Sequence, residues 1–135
     1  MKAIAESGRK LDVLVVDDHP WNRTLVRRFL RDINIHEADH PGQALERDSL
    51  GKMDMIVTDY KMPHMDGASF VKELRRRGYG MPIIGMSTCP SNEGTFLNAG
   101  ASAFLEKDGS LITYTTLRVI AETELYEKLK RETSF

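Results

Sequence analysis

An α/β fold with a doubly wound parallel sheet is the architecture this sequence predicts. Two observations carry that expectation. Five short apolar runs alternate with five segments of helical spacing, and the strong runs stop abruptly on acidic or hydroxyl residues. Strands that alternate with helices imply a parallel sheet covered on both faces, with right-handed crossovers.

The first run, residues 11–16, is β-rich and ends at Asp17 and Asp18. Pro20 then suits the first turn of a helix, where its missing N–H costs nothing. Trp21, Leu25 and Phe29 recur every fourth residue with Val26 and Leu30 beside them, while Arg23, Arg27, Arg28 and Arg31 take the other positions. That spacing predicts an amphipathic helix with Trp21 packed on its apolar face. Residues 33–38 read as a weaker strand and residues 41–50 as a helix closed by Gly51.

The second strong run, residues 53–58, ends on Asp59. Pro63 and Gly67 mark a loop, and Asp66 is placed to cap the next helix, which carries Phe70, Val71 and Leu74. Its close, Arg75, Arg76, Arg77 and Gly78, reads as a solvated end that suits the helix dipole and a glycine C-cap. The third run, residues 82–86, leads to Ser87. A short helix over 91–98 is weakened by Gly94, and a small strand over 103–105 ends near Lys107. Residues 110–130 contain no Gly or Pro, and Leu111, Tyr114, Leu117, Ala121 and Leu125 share one helical face.

The chain of 135 residues suffices for one domain, expected over residues 11–130 with tails at 1–10 and 131–135. Hydrophobic residues are 41% and charged residues 29%, as in ordinary globular proteins. Nineteen basic residues against twenty acidic ones give a net charge of −1, so no general attraction to nucleic acid or to a membrane surface is expected. Cys89 is the single cysteine, which excludes an internal disulfide and suits a reducing compartment. No run approaches the roughly 18 apolar residues of a membrane span, and a cytoplasmic location is expected.

Of the two common strand orders for such sheets, the flavodoxin-like 2-1-3-4-5 makes the first and third strands neighbours. Ligands bind outside the carboxyl ends of the strands, at the switch point. That order brings Asp17, Asp18 and Asp59 to one edge, with Ser87 and Lys107 beyond them. One aspartate at a strand end is usually a turn residue; three together are harder to dismiss. Two carboxylates about 4 Å apart repel by about 4 kcal/mol at an effective dielectric near 20, so such a cluster protonates or recruits a cation. An all-oxygen site with few protein ligands suits Mg²⁺ (or Mn²⁺). Asp59 is then a candidate phosphoryl acceptor, Lys107 a point cation for a phosphate oxygen, and Ser87 a hydroxyl donor to the same group.

These residues carry a resemblance. The stretches LVVDDHP (14–20), TDYKMPHMDG (58–67), PIIGMS (82–87) and AGASAFLEK (99–107) are similar, in this order and spacing, to the receiver domain of bacterial two-component response regulators. The resemblance spans residues 11–128, and the 58–67 stretch is its most specific part. It implies that Asp59 is phosphorylated, that Asp17 and Asp18 are the acidic metal pair, and that the backbone carbonyl of Lys61 is a further metal oxygen. Ser87 and Lys107 match the switch hydroxyl and the lysine of the motif, and Phe104 matches the aromatic switch residue. Ser87 moving toward the phosphate and Phe104 turning inward would alter the face made by the fourth helix, fifth strand and fifth helix. The side chains of Lys61 and Cys89 occupy positions that modulate phosphate loss; Cys89 has no evident cause for a lowered thiol pKa.

The same resemblance implies a sensor histidine kinase or a histidine phosphotransfer domain as donor, and a downstream protein or fused domain as recipient of the signal. The His19–Pro20–Trp21–Asn22–Arg23 stretch is similar to receivers fused to hybrid sensor kinases, although a stand-alone receiver fits as well. No turnover of an external substrate is expected. An alternative is a phosphorylation-independent interaction module on the same fold; an aspartyl-nucleophile phosphatase and a flavin-binding protein lack, respectively, a suitably placed acid and a phosphate-cradling loop. Where many relatives have proline after the motif lysine, this chain has Asp108, so the loop into the last helix is expected to differ.

Overall fold

The computed structural model describes residues 10–133. Five strands, β1 (Asp12–Val16), β2 (Asn34–Ala38), β3 (Met55–Asp59), β4 (Ile83–Ser87) and β5 (Ala103–Glu106), form one sheet in the order β2-β1-β3-β4-β5. All four pairings are parallel. The helices between and after them are α1 (Pro20–Phe29), α2 (Pro41–Leu45), α3 (Gly67–Arg76), α4 (Asn92–Ala99) and α5 (Ile112–Glu132), with a 3₁₀ turn at Leu50–Lys52.

Alternate residues along the buried strands feed two cores. Val13, Val15, Met55, Val57, Ile84 and Met86 pack under α1 and α5, against Leu25, Val26, Leu117, Ala121 and Leu125. Leu14, Val16, Ile56 and Ile83 face the other way, against Ala44, Phe70, Val71, Leu74 and Phe96 of α2, α3 and α4. Because both faces are covered, the strands read as continuous apolar runs rather than alternating ones. Gly85 in β4 has a particular reason: a Cβ there would meet the Phe96 ring at 2.5 Å, so glycine lets α4 seat its one fully buried side chain on the sheet.

Several expectations need correction. The helix expected over 41–50 ends at Leu45, and the chain reaches Leu50 through a turn into the 3₁₀ segment, where Leu50 alone is buried. Trp21 does not pack on the core; it is 60% exposed, with the Arg28 guanidinium 5.8 Å from its ring centre. Leu111 is the N-cap of α5 rather than part of its buried face. The last helix runs on to Glu132. Arg75 is no solvated terminus: its guanidinium donates to the carbonyls of Gly100, Tyr79 and Met81 at 3.0, 2.9 and 2.8 Å, bolting the end of α3 to the turn before β4 and to the C-cap of α4. Of the expected tails, residues 1–9 and 134–135 lie outside the described residues.

Candidate functional site

Register brings the acids together. Val16 of β1 lies opposite Thr58 of β3, so the next residue on each strand, Asp17 and Asp59, are neighbours at the carboxyl edge. Asp17, Asp18 and Asp59 each offer an oxygen within 4.8 Å of the others. On the far side Ser87 pairs with Glu106, and the N–H of the following Lys107 donates to the Ser87 carbonyl at 2.7 Å. The Lys107 ammonium then reaches back over the sheet edge to 2.9 Å from Asp59 Oδ1 and 3.8 Å from Asp17 Oδ2. A cleft of about 730 Å³ opens above, lined by Asp18, Asp59, Lys61, Ser87 and Lys107 among others.

Three acids against one lysine leave the cluster short of positive charge. Asp17 shows the cost. Burial pushes its carboxyl up, Asp59 adds to the rise, and the His19 backbone N–H, Lys107 and Asn22 only partly offset it. Asp18 Oδ1 is buried without a hydrogen bond, with the His19 ring nitrogen 3.8 Å away. An orphaned carboxylate oxygen beside two more carboxylates fits a hard divalent cation better than it fits a finished protein network.

The loop after β3 is shaped for close approach. Asp66 Oδ1 caps α3 by accepting from the Ser69 N–H at 2.7 Å, as its position suggested. Gly67 follows, and a Cβ there would lie 2.1 Å from the Asp59 carbonyl oxygen. Glycine therefore lets the start of α3 press against the backbone of the central acid. His64, between Pro63 and Met65, takes a positive φ of 72°.

Ser87 is buried, and its hydroxyl accepts from the Cys89 N–H at 3.0 Å and from Asn92 Nδ2 at 2.9 Å. Both lone pairs are thus occupied, leaving the O–H free to donate. The Cys89 side chain turns elsewhere: its sulfur lies 2.8 Å from Ser91 Oγ, and it does not line the cleft. Hydrogen bonding with Ser91 lowers the thiol pKa, a cause not evident from the sequence. Phe104 is half-buried on β5, its ring 6.0 Å from that of Phe96, which also meets Tyr60 edge-on.

Two residues of the site escape a reading of the sequence. Asn22 touches Asp17 at 3.3 Å, and Asn92 touches Ser87. An amide on a helix reads as solvent-facing; the available signal is that both occur in the first turns of helices that begin just beyond an active strand end. Asp108, in place of proline, also has a role: its Oδ1 accepts from Ser110 N, Ser110 Oγ and Thr113 Oγ1 at 2.7–2.9 Å, which holds its carboxyl at about 2 and pins the entry to α5. Among the described residues no peptide bond is cis.

Comparison with known proteins agrees with this geometry. The Response regulator receiver domain family matches residues 13–116. The sensor protein EvgS of Escherichia coli K12 is 39% identical over 80 residues, 58% of this chain and 7% of EvgS. The two-component response regulator ARR22 of Arabidopsis thaliana is 33% identical over 113 residues, 78% of this chain and 80% of ARR22. The chain spans 13% of the sensor histidine kinase RcsC of Salmonella typhimurium, a further relative at 31% identity. Among solved structures, the chemotaxis response regulator CheY4 of Vibrio cholerae superimposes with a TM-score of 0.72 at 28% identity, over 84% of this chain and 98% of that one. The Francisella response regulator 1452 receiver domain gives 0.73 at 27%, over 89% and 99%. No helix among the described residues is long and apolar enough to cross a membrane. The strand order, the acids gathered at its switch point and the extent of the match make one conclusion: the chain belongs to the response regulator receiver domain family and is a signalling module of two-component phosphorelay.

Proposed function

We propose that Asp59 is the phosphoryl acceptor of this receiver domain and that a phosphohistidine is its donor. The observation that carries the reading is Lys107 Nζ at 2.9 Å from Asp59 Oδ1 inside a cluster of three acids. In the transfer, an Asp59 carboxylate oxygen bonds to phosphorus as the donor's P–N bond breaks, and the released imidazole nitrogen keeps the electron pair. Such transfers depend on positioning and charge neutralisation more than on covalent assistance. Lys107 takes up charge on a phosphoryl oxygen, and the Ser87 O–H donates to another.

Asp17, Asp18, Asp59 and the Lys61 backbone carbonyl are the groups that would hold Mg²⁺ (or Mn²⁺). When bound, the ion supplies the positive charge that the cluster lacks and neutralises phosphoryl oxygens. The Lys61 side chain, exposed at the cleft, shields the acyl phosphate from water. Cys89 acts in this reading through its backbone N–H on Ser87 rather than through its thiol. Phe104, its ring tilted against that of Phe96, turns inward when Ser87 moves, so the surface of α4, β5 and α5 changes for a downstream protein or a fused domain. Shifting such an equilibrium from 1:99 to 99:1 needs about 5.5 kcal/mol, which a doubly charged phosphate held by a cation, a lysine and a hydroxyl is able to supply.

The donor is a sensor histidine kinase or a histidine phosphotransfer domain, with no external substrate turned over. Residues 11–130 act as the receiver unit. The compartment is the cytoplasm, which the single cysteine suits. Neither direct nucleic-acid binding nor membrane insertion is part of the activity. Mass spectrometry after incubation with Mg²⁺ and acetyl phosphate or phosphoramidate tests the core of this. One phosphoryl group is expected on the wild type and none on Asp59→Asn; an unmodified wild type would sink the reading in favour of a phosphorylation-independent module. Equal rates of phosphate loss from wild type and Lys61→Ala would remove the shielding role alone.

A further inference from the structure

Asp17 is the most firmly held of the three acids. Its Oδ1 accepts from the His19 N–H at 2.9 Å, its backbone carbonyl accepts from Arg23 at 2.6 Å, and its Oδ2 accepts from Asn22 Nδ2 at 3.3 Å. All three donors belong to the start of α1; Arg23 also pairs with Glu37 and Asp39 on the β2 side, and Asn22 reaches across to α5. Its Oδ1 accepts from the Tyr114 hydroxyl at 3.4 Å, across 92 residues of sequence. The amide has only one sensible orientation here. An ionised carboxylate can only accept, so the NH₂ faces Asp17, and the carbonyl is left for the phenolic O–H.

Tyr114 is itself fixed. It is buried in the first turn of α5, and its ring lies 5.9 Å from that of Phe29 at the end of α1. Asn22, Thr88 and Lys107 line both the acidic cleft and a second cavity of about 280 Å³ that Trp21 and Tyr114 also border. Asn22 is therefore part of the wall between the acids and the seam of α1 with α5. A ligand carboxylate left to rotate must be ordered when an ion binds, whereas one anchored at both oxygens is already in place. Partners that orient a ligand in this way typically change metal affinity by about 10- to 100-fold when removed.

From this geometry we infer that Asn22, held by the Tyr114 hydroxyl, is a positioning residue that sets Asp17 for the divalent cation and ties α5 to the occupancy of the metal site. The inference rests on the metal reading above. Among the described residues Tyr114 makes no hydrogen bond of its own to the three acids, and its hydroxyl reaches Asp17 through Asn22.

Mn²⁺ binding to the full chain, counted from the electron paramagnetic resonance signal of free Mn²⁺, tests it without any phosphoryl transfer. Asn22→Ala is expected to raise the Kd by about 10- to 100-fold. Tyr114→Phe keeps the ring on Phe29 and is expected to raise it about 3-fold, the cost of one hydrogen bond to a neutral partner. In the Asn22→Ala background, Tyr114→Phe should change the Kd little further, because its hydrogen-bonded route to the metal site is gone. A purely structural role for Asn22 predicts the opposite pattern, a lower melting temperature of the metal-free protein with an unaltered Kd. Equal Kd values for wild type and Asn22→Ala, with binding lost in Asp18→Asn, overturn the inference and leave the metal site standing. A wild type with no saturable Mn²⁺ binding overturns both. Additive effects of the two substitutions overturn the role of Tyr114.

Discussion

Both ends of the sheet gather aspartates, and they differ in how completely the protein itself partners them. At the amino edge Asp54, 3% exposed, accepts from the Asp12 N–H at 2.9 Å and from Lys128 Nζ at 3.1 Å, while Asp12 pairs with the His36 ring at 2.9 Å. Lys128 also reaches Glu132 one turn further along α5. Each acid there has a partner drawn from the protein itself. At the carboxyl edge Lys107 serves Asp59 and Asp17, burial pushes Asp17 up, and Asp18 Oδ1 has no hydrogen bond. The first arrangement holds the termini of β1, β3 and α5 together. The second leaves a buried carboxylate oxygen without a hydrogen bond and fits an added cation, and that difference separates a structural cluster from a candidate site.

The comparison breaks most readily at Asp54. Asp54→Ala leaves the Asp12 N–H and Lys128 without this acceptor and should cost about 3 kcal/mol. For a chain of this size that is roughly a 10 °C fall in melting temperature, with Mn²⁺ affinity unchanged. A fall of only a degree or two would mean the amino-edge cluster is ornamental. At the other edge the sign reverses. Mg²⁺ at about 100 times its Kd should stabilise the wild type by about 2.7 kcal/mol, and Asp18→Asn should lose that gain. An equal thermal shift in both proteins would show the ion acting elsewhere.

Without metal, Asp18→Asn should melt above the wild type by about 2–4 °C, equivalent to about 1 kcal/mol of relieved repulsion. A metal-free variant less stable than wild type would mean the acids are already balanced. The smallest effect concerns Asp108, an exposed acid whose local donors hold it at about 2. Its folded value lies below the ordinary one near 3.9, so its contribution is present above that value and lost as pH falls through about 2. The difference in urea midpoint between wild type and Asp108→Ala should therefore narrow from about pH 5 to about pH 2. A gap independent of pH would remove the carboxylate from the account.

Much of this was legible before any coordinates because it depends on strand ends. A parallel strand covered on both faces must be apolar throughout, so the residue at which apolarity stops marks the ligand edge: Asp17, Asp59 and Ser87 declare themselves. The glycine of the 58–67 stretch is likewise intelligible, since only a missing side chain permits α3 to touch Asp59. What stayed hidden were contacts that depend on where a long or polar side chain turns. Trp21 keeps the helical period of Leu25 and Phe29, but the buried residues of α1 begin at Leu25, and period alone does not say where a buried face begins. Arg75 has the sequence context of its exposed neighbours Arg76 and Arg77, and three carbonyls distinguish it, two in the turn that follows and one at the C-cap of α4. Asn22 and Asn92 carry no pattern in the sequence, because each bond depends on an amide side chain turning back onto the strand end five residues before it.

The Arg75 bolt has a mechanical corollary for α4. That helix is clamped at its carboxyl end, where Gly100 takes a φ of 113° and packs on the aliphatic stem of Arg75, and at its middle by Phe96 sunk against Gly85. Its amino end is tethered to the sheet by one side-chain bond, from Asn92 to the Ser87 hydroxyl. A lever with its fulcrum at Gly100 travels farthest at the opposite tip. Any displacement of the serine would therefore be felt most at Asn92, shrink past the Phe96 anchor and be least at Ala99.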